Sequence, residues 1–261
     1  MSGGRVLRWP FGLRDSHTGR SWPQVRGHDR PVTYSERATF VAGATMWRRT
    51  AEPAPTPGLI LPDGCMDLLW DGARLFVAGP DTTARWHQTP EGVSYTAIRF
   101  SGGTGPALLG VPAHEVRDQT PDLDQLWPSG DVRRLVEQVA ANPATLETWV
   151  VERAASRKID PLGSRVLKMA NVGTPVGVMA DHLGLSTRQL YRRCIPVFGY
   201  GPGRLARILR MGRALEGARA GTPLAQVAAT CGYVDQAHFC REVRTLTKTT
   251  PARLLQELNR R

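Results

Sequence analysis

Long apolar runs are missing from this chain of 261 residues. No stretch of about 18 or more apolar side chains occurs, so a membrane span is not expected. Met1 to Trp9 also lacks the apolar run of a secretory signal, and the expected location is cytoplasmic. Cysteine is scarce too. Cys65, Cys194, Cys231 and Cys240 form no CxxC pair and no tight cluster with histidine, which argues against a disulfide scaffold and against structural zinc. His17, His28 and His87 lack the paired spacing of a metal site on one strand or helix, and nothing in the sequence asks for a cofactor. Lysine occurs at only three positions, Lys158, Lys168 and Lys248, so arginine carries the positive charge.

That charge is unevenly placed. The net formal charge is +11, yet residues 1–156 hold 16 Lys+Arg against 17 Asp+Glu, and residues 157–261 hold 18 against 6. A half with a balance of +12 suits a polyanion, either nucleic acid or an anionic membrane surface.

Residues 1–35 mix Arg, Gly, Pro and Ser without a lasting period and read as an irregular segment. From about residue 36, short apolar runs recur at Ala38 to Trp47, Leu59 to Leu61, Met66 to Trp70, Leu75 to Ala78 and Tyr95 to Phe100, punctuated by Gly and Pro. Such spacing predicts a small β-rich barrel or sandwich. Gly102-Gly103-Thr104-Gly105 lacks the lysine of a phosphate loop and reads as a connection. Beyond Pro106 the period becomes helical, with Val132, Leu135, Val136 and Val139 on one face behind Asp131 as a cap, then a second helix over Ala144 to Ala155. Asp160-Pro161 is a helix-start signal at the point where the charge changes. The expected fold is α+β: a β-rich, barrel-like domain with appended helices over residues 36–156, followed by an all-α domain over residues 160–261.

The C-terminal part contains one unit twice, about 48 residues apart. Gly173-Thr174-Pro175 recurs as Gly221-Thr222-Pro223, which predicts threonine caps with proline at the first helical position. Val176, Met179, Ala180 and Leu183 match Leu224, Val227, Ala228 and Cys231 at helical spacing, and Gly184 and Gly232 then supply left-handed stops. Each copy opens a second helix, capped by Ser186 with Gln189, or by Asp235. Helix, glycine turn and capped helix make a helix-turn-helix, and a long helix from Pro202 to Ala220 joins the two units. In each second helix one face is apolar, through Leu190, Cys194 and Phe198 or Phe239, Val243 and Leu246, and the opposite face is polar.

Over roughly residues 161–258 these features resemble the AraC/XylS family of bacterial transcription regulators. Leu224 to Pro251 looks like the family signature, through Val227-Ala228, Cys231-Gly232-Tyr233, Asp235-Gln236, His238-Phe239 and Thr250-Pro251. Cys194 and Val243 depart from it where phenylalanine is usual, and Cys240 where serine is common. Pro62-Asp63-Gly64-Cys65-Met66-Asp67-Leu68 and Ala78-Gly79-Pro80 resemble the sensory half of some members, without naming a ligand. The resemblance implies two recognition helices in successive major grooves, about 34 Å apart along B-DNA, on a rigid spacer.

On those helices Arg188, Tyr191, Arg192, Gln236, Ala237, Cys240 and Arg241 are the expected base readers, because guanidinium groups suit guanine O6 and N7 and glutamine suits adenine. Arg193, Arg204, Arg207 and Arg244 are expected on phosphates, which orient the protein without reading sequence. His238 reads as a packing or capping residue. Expected partners are duplex promoter DNA, RNA polymerase, a small effector of unknown identity and a second copy of the chain. Two other classes are weighed beside this one. An enzyme fused to the same DNA reader, such as a DNA-repair alkyl transferase with Cys65 as nucleophile, finds no active-cysteine setting, and Cys65 reads as a buried small residue. A membrane-surface protein would need one broad amphipathic face that the capped helix pairs do not offer.

Overall fold

The computed structural model describes residues 5–6, 34–50 and 54–259. Most of the segment expected to be irregular, with His17 and His28, lies outside the described residues. Within it Arg5–Val6 forms a short strand, β1. The N-terminal domain continues with β2 (Tyr34–Ala38), β3 (Ala44–Arg49), β4 (Thr56–Ile60), β5 (Met66–Trp70), β6 (Leu75–Ala78), β7 (Arg85–Thr89) and β8 (Tyr95–Phe100). Five of these make an antiparallel sheet in the order β2-β3-β8-β5-β6, and a second sheet has the order β1-β4-β7 with β1 parallel to β4.

Strand β5 shows why the large sheet forms where it does. Met66, Leu68 and Trp70 are buried while Asp67 and Leu69 between them are only partly so, the period of two that turns one face inward. Leu68 and Met46 both pair with Ile98 of the central strand, so their side chains form one apolar row across three strands. The helices α1 (Thr104–Leu109), α2 (Ser129–Ala141) and α3 (Thr145–Ser156) cover this face through Leu108, Leu109, Val132, Leu135, Val139, Leu146 and Val150.

Three local expectations change. The run Ala38 to Trp47 is not one strand but the hairpin β2–β3, because the chain turns at Gly43 with φ of +81°, a conformation that costs glycine little. Helix α2 begins at Ser129, so Asp131 lies inside the first turn, where its charge suits the positive helix end and pairs with Arg134 at 2.6 Å. In the C-terminal domain Pro175 and Pro223 occupy the cap positions themselves, and neither Thr174 nor Thr222 caps with its side chain.

That domain consists of α4 (Leu162–Asn171), α5 (Val176–His182), α6 (Thr187–Phe198), α7 (Pro202–Arg219), α8 (Leu224–Thr230), α9 (Gln236–Thr247) and α10 (Pro251–Asn259). At 1.5 Å per residue the 18 residues of α7 span about 27 Å. Leu205, Ile208, Leu209, Met211, Ala214 and Leu215 bury it in a core shared by all seven helices. The same core takes in Leu59 and Leu61 from β4 and the residue after it, so the small sheet packs on the helical domain. Among the described residues no helix is long and apolar enough to cross a membrane.

Candidate nucleic-acid interface

Both helix-turn-helix units are built by local chemistry. Gly184 and Gly232 take φ of +65° and +77°, ending α5 and α8 in the left-handed conformation. Ser186 accepts from the Gln189 amide at 3.2 Å and the Gln189 side chain accepts from the Ser186 amide at 2.8 Å, a reciprocal box that starts α6. Asp235 starts α9 by accepting from the His238 amide at 2.5 Å. His238 returns with a ring contact on Tyr233, centroids 5.3 Å apart, so it packs the turn.

The inner faces then fix the outer ones. Leu190, Cys194 and Phe198 of α6, and Phe239, Val243 and Leu246 of α9, are buried. Arg188, Tyr191 and Arg192 consequently stand exposed on α6, and Gln236, Ala237 and Arg241 on α9, with Cys240 partly exposed beside them. The four expected phosphate residues are placed differently from one another. Arg244 is exposed. Arg193 pairs with Asp160 at 2.8 Å, both side chains about half exposed. Arg204 donates from Nη1 to the Thr82 carbonyl at 2.9 Å, and Arg207 donates from Nε to Glu242 at 2.9 Å.

Glu242 does not stand out in the sequence, yet it organises the spacer. Its side chain is 4% exposed and accepts from Arg207 Nε at 2.9 Å and from Arg210 Nε and Nη2 at 3.1 and 2.7 Å. Burial alone would raise its carboxyl, but the Arg210 and Arg207 guanidiniums overcome burial and hold it below the ordinary glutamate value. Arg210 also lies 4.4 Å over the Tyr233 ring. One signal was available: 239, 242, 243 and 246 share the buried face of α9, so an acid at 242 requires a partner.

The N-terminal domain reaches both α6 and α9 through backbone donors. A helix end leaves its last carbonyls without intrahelical partners. The Ala113 amide donates to the Pro196 carbonyl at 2.8 Å, and the Ala84 amide to the Leu246 carbonyl at 2.7 Å. Arg117 Nη1 adds a bond to the Gly199 carbonyl at 3.0 Å. Gly102-Gly103, expected as a mere connection, is a contact surface: a Cβ on Gly103 would sit 2.3 Å from Val197 Cγ1, and one on Gly163 would sit 2.7 Å from the Gly102 carbonyl oxygen. Between the domains lies a cleft of about 660 Å³ that borders α6.

Cys65 follows Gly64, at which a Cβ would lie 3.0 Å from Leu205 Cδ1 and 3.6 Å from Tyr200 Oη, so it borders the domain junction. Burial, then the Asp63 carboxylate, push its thiol well up, the opposite of what a thiolate nucleophile needs. Asp67 near it accepts from Trp47 Nε1 at 2.8 Å and from Arg99 at 3.1 Å.

Comparisons with known proteins follow the same division. Residues 179–257 match the family model described as a helix-turn-helix domain, and residues 38–122 match one described as a domain of unknown function (DUF6597). No curated protein matches the chain. A probable AraC family transcriptional regulator from Rhodopseudomonas palustris CGA009 is similar at 21% identity and TM-score 0.34, over 38% of this chain and 98% of that one. An AraC-type DNA-binding domain-containing regulator from Chromobacterium violaceum is similar at 25% identity and TM-score 0.34, over 38% and 89%. Unsaturated fatty acid bound ToxT from Vibrio cholerae strain SCE256 spans 87% of this chain and 98% of its own at 10% identity and TM-score 0.42. At these TM-scores the weight falls on the match over residues 179–257 and on the geometry of the two units.

Proposed function

Because the C-terminal domain of this chain carries two helix-turn-helix units and resembles the AraC/XylS type, we propose that the protein is a sequence-specific regulator of transcription that grips two successive major grooves of promoter DNA. The observation that carries this is the pair of capped helices whose inner faces are buried while Arg188, Tyr191 and Arg192, and Gln236, Ala237, Cys240 and Arg241, face outward. Base edges in the major groove are read by such side chains at about 1 to 3 kcal/mol per good pair. The phosphate term falls to Arg244, Arg193, Arg204 and Arg207, of which the last three hold protein partners as well. RNA polymerase and a second copy of the chain belong to this reading as partners.

The N-terminal domain is read as the sensor of a small molecule or protein partner, supported by its backbone bonds to the ends of both recognition helices. Whatever shifts those loops shifts the helices, and linkage then requires DNA to change effector affinity by the same factor. No catalytic step is part of the reading, and the raised Cys65 thiol supports that choice.

The experiment is a selection of bound sequences followed by footprinting of alanine variants. Arg188→Ala or Arg192→Ala should relax specificity at one end of the site, and Gln236→Ala or Arg241→Ala at the other, each by about 1 to 3 kcal/mol. Variants of both helices that alter the same base pairs would overturn the two-groove arrangement. For the sensor, full-length protein is screened by thermal shift, where a ligand at about 100 times its Kd adds about 2.7 kcal/mol. A hit that is consumed in turnover would favour an enzyme.

A further inference from the structure

The cleft of about 660 Å³ at the domain junction has Thr82, Arg117 and Asp118 on its N-terminal wall and Thr187, Tyr191 and Arg204 on its other wall. Thr187 precedes Arg188 on α6, and Tyr191 stands at the edge of the face that carries Arg188 and Arg192, so the cleft adjoins that face. A helix seated in the major groove is flanked by the two phosphate strands, so residues one step round from the base-reading face meet backbone. The cleft is open on one side to solvent, so a group carried on a larger molecule can enter it. Its charge balance is positive by one, because Arg117 and Arg204 face Asp118, whose Oδ2 lies 3.9 Å from Arg117 Nε. Arg117 and Arg204 contribute two guanidiniums, and the one carboxylate, Asp118, already accepts from the Thr82 amide at 2.6 Å and from its hydroxyl at 2.9 Å. Arg117 places Nη1 on the Gly199 carbonyl, and its side chain is 44% exposed.

We infer that this cleft takes a phosphodiester of the operator backbone, so that Arg117 makes the N-terminal domain part of the DNA interface, with Arg204, held on the Thr82 carbonyl, as the second cation. The inference rests on α6 being a recognition helix. Its consequence is that DNA affinity depends on the N-terminal domain staying docked, since a shift of that domain moves a phosphate contact as well as the helix ends.

The test uses the full chain, its selected operator, and Arg117→Gln, Arg117→Lys and Asp118→Asn. Loss of one charge-assisted phosphate contact should lower affinity about tenfold for Arg117→Gln, by the same factor on every operator. The slope of log affinity against log salt should fall by about one, and Arg117→Lys should restore it. Asp118→Asn, which leaves the Gly199 bond in place, should raise affinity. A scan with single neutral methylphosphonates should find one phosphate whose neutralisation weakens the native protein but not Arg117→Gln. An unchanged salt slope in Arg117→Gln, no gain in Asp118→Asn, or no such phosphate overturns the inference. If Arg192→Ala relaxes specificity while Arg117→Gln leaves the slope alone, the cleft is refuted and the recognition helix stands. If Arg192→Ala changes nothing, the reading of α6 itself has failed. Inorganic phosphate that stabilises the free protein at millimolar concentration, with no change in salt slope for Arg117→Gln, would mark a free-anion site instead and overturn the DNA contact.

Discussion

Removing the Glu242 carboxylate should cost stability in a pH-dependent way, because two guanidiniums converge on a side chain that is 4% exposed. Breaking a buried ion pair from one side costs about 3 to 5 kcal/mol, since a charge is left without its partner. Here the orphaned charges are Arg207 and Arg210, whose side chains are 43% and 24% exposed, and solvent screens what remains. Glu242→Ala should therefore lose about 2 to 3 kcal/mol. For a chain of this size each kcal/mol moves Tm by about 2 to 4 °C, so a fall of about 5 to 10 °C is expected. The sign with pH follows from the depressed carboxyl. Its contribution is complete above the unfolded glutamate value of about 4.3 and is lost as pH falls through the lower folded value. Thermal melts of native protein, Glu242→Gln and Glu242→Ala should thus diverge at pH 7 and converge below about pH 4, with Glu242→Gln between the others. A loss under about 1 kcal/mol at pH 7, or a difference that persists unchanged into acid, would refute the clamp.

Two further outcomes are expected. The +12 balance of residues 157–261 should make operator affinity fall by about 10³ or more between 50 and 200 mM salt if six or more phosphates are neutralised, and a salt-insensitive binding isotherm would exclude the electrostatic reading. Gly232 has φ of +77° and open space where a Cβ would stand, so Gly232→Ala should cost about 1 to 2 kcal/mol from backbone strain alone, and Gly232→Asn less, as measured by denaturant melts.

The sequence made some elements plain and hid others for physical reasons. Strands β5, β6 and β8 have the bounds that their apolar runs predict. Strand β7, Arg85–Thr89, escapes that pattern because it borders the small sheet with arginine, histidine and glutamine and leaves Trp86 60% exposed. The two helix-turn-helix units were legible because caps and left-handed glycines are local in sequence. The contacts between domains were not: Ala84, Ala113 and Gly103 act through amides or through the lack of a side chain, and a backbone donor looks the same in any sequence. Arg204 and Arg207 have the residue type expected for phosphate, yet their bonds to Thr82 and Glu242 arise from residues 122 and 35 positions away.

The boundary near residue 160 separates two charge patterns, but apolar packing runs across it. Leu59 and Leu61 stand in the same apolar cluster as Leu205, Ile208 and Phe239, so unfolding the small sheet strips cover from the helices. A protein cut at that boundary would expose the missing strand's imprint to water, and its fragments would be sticky where the intact chain is smooth. Full-length protein should accordingly melt in one cooperative step, reported alike by far-ultraviolet circular dichroism and tryptophan fluorescence, even though its charge map shows two halves.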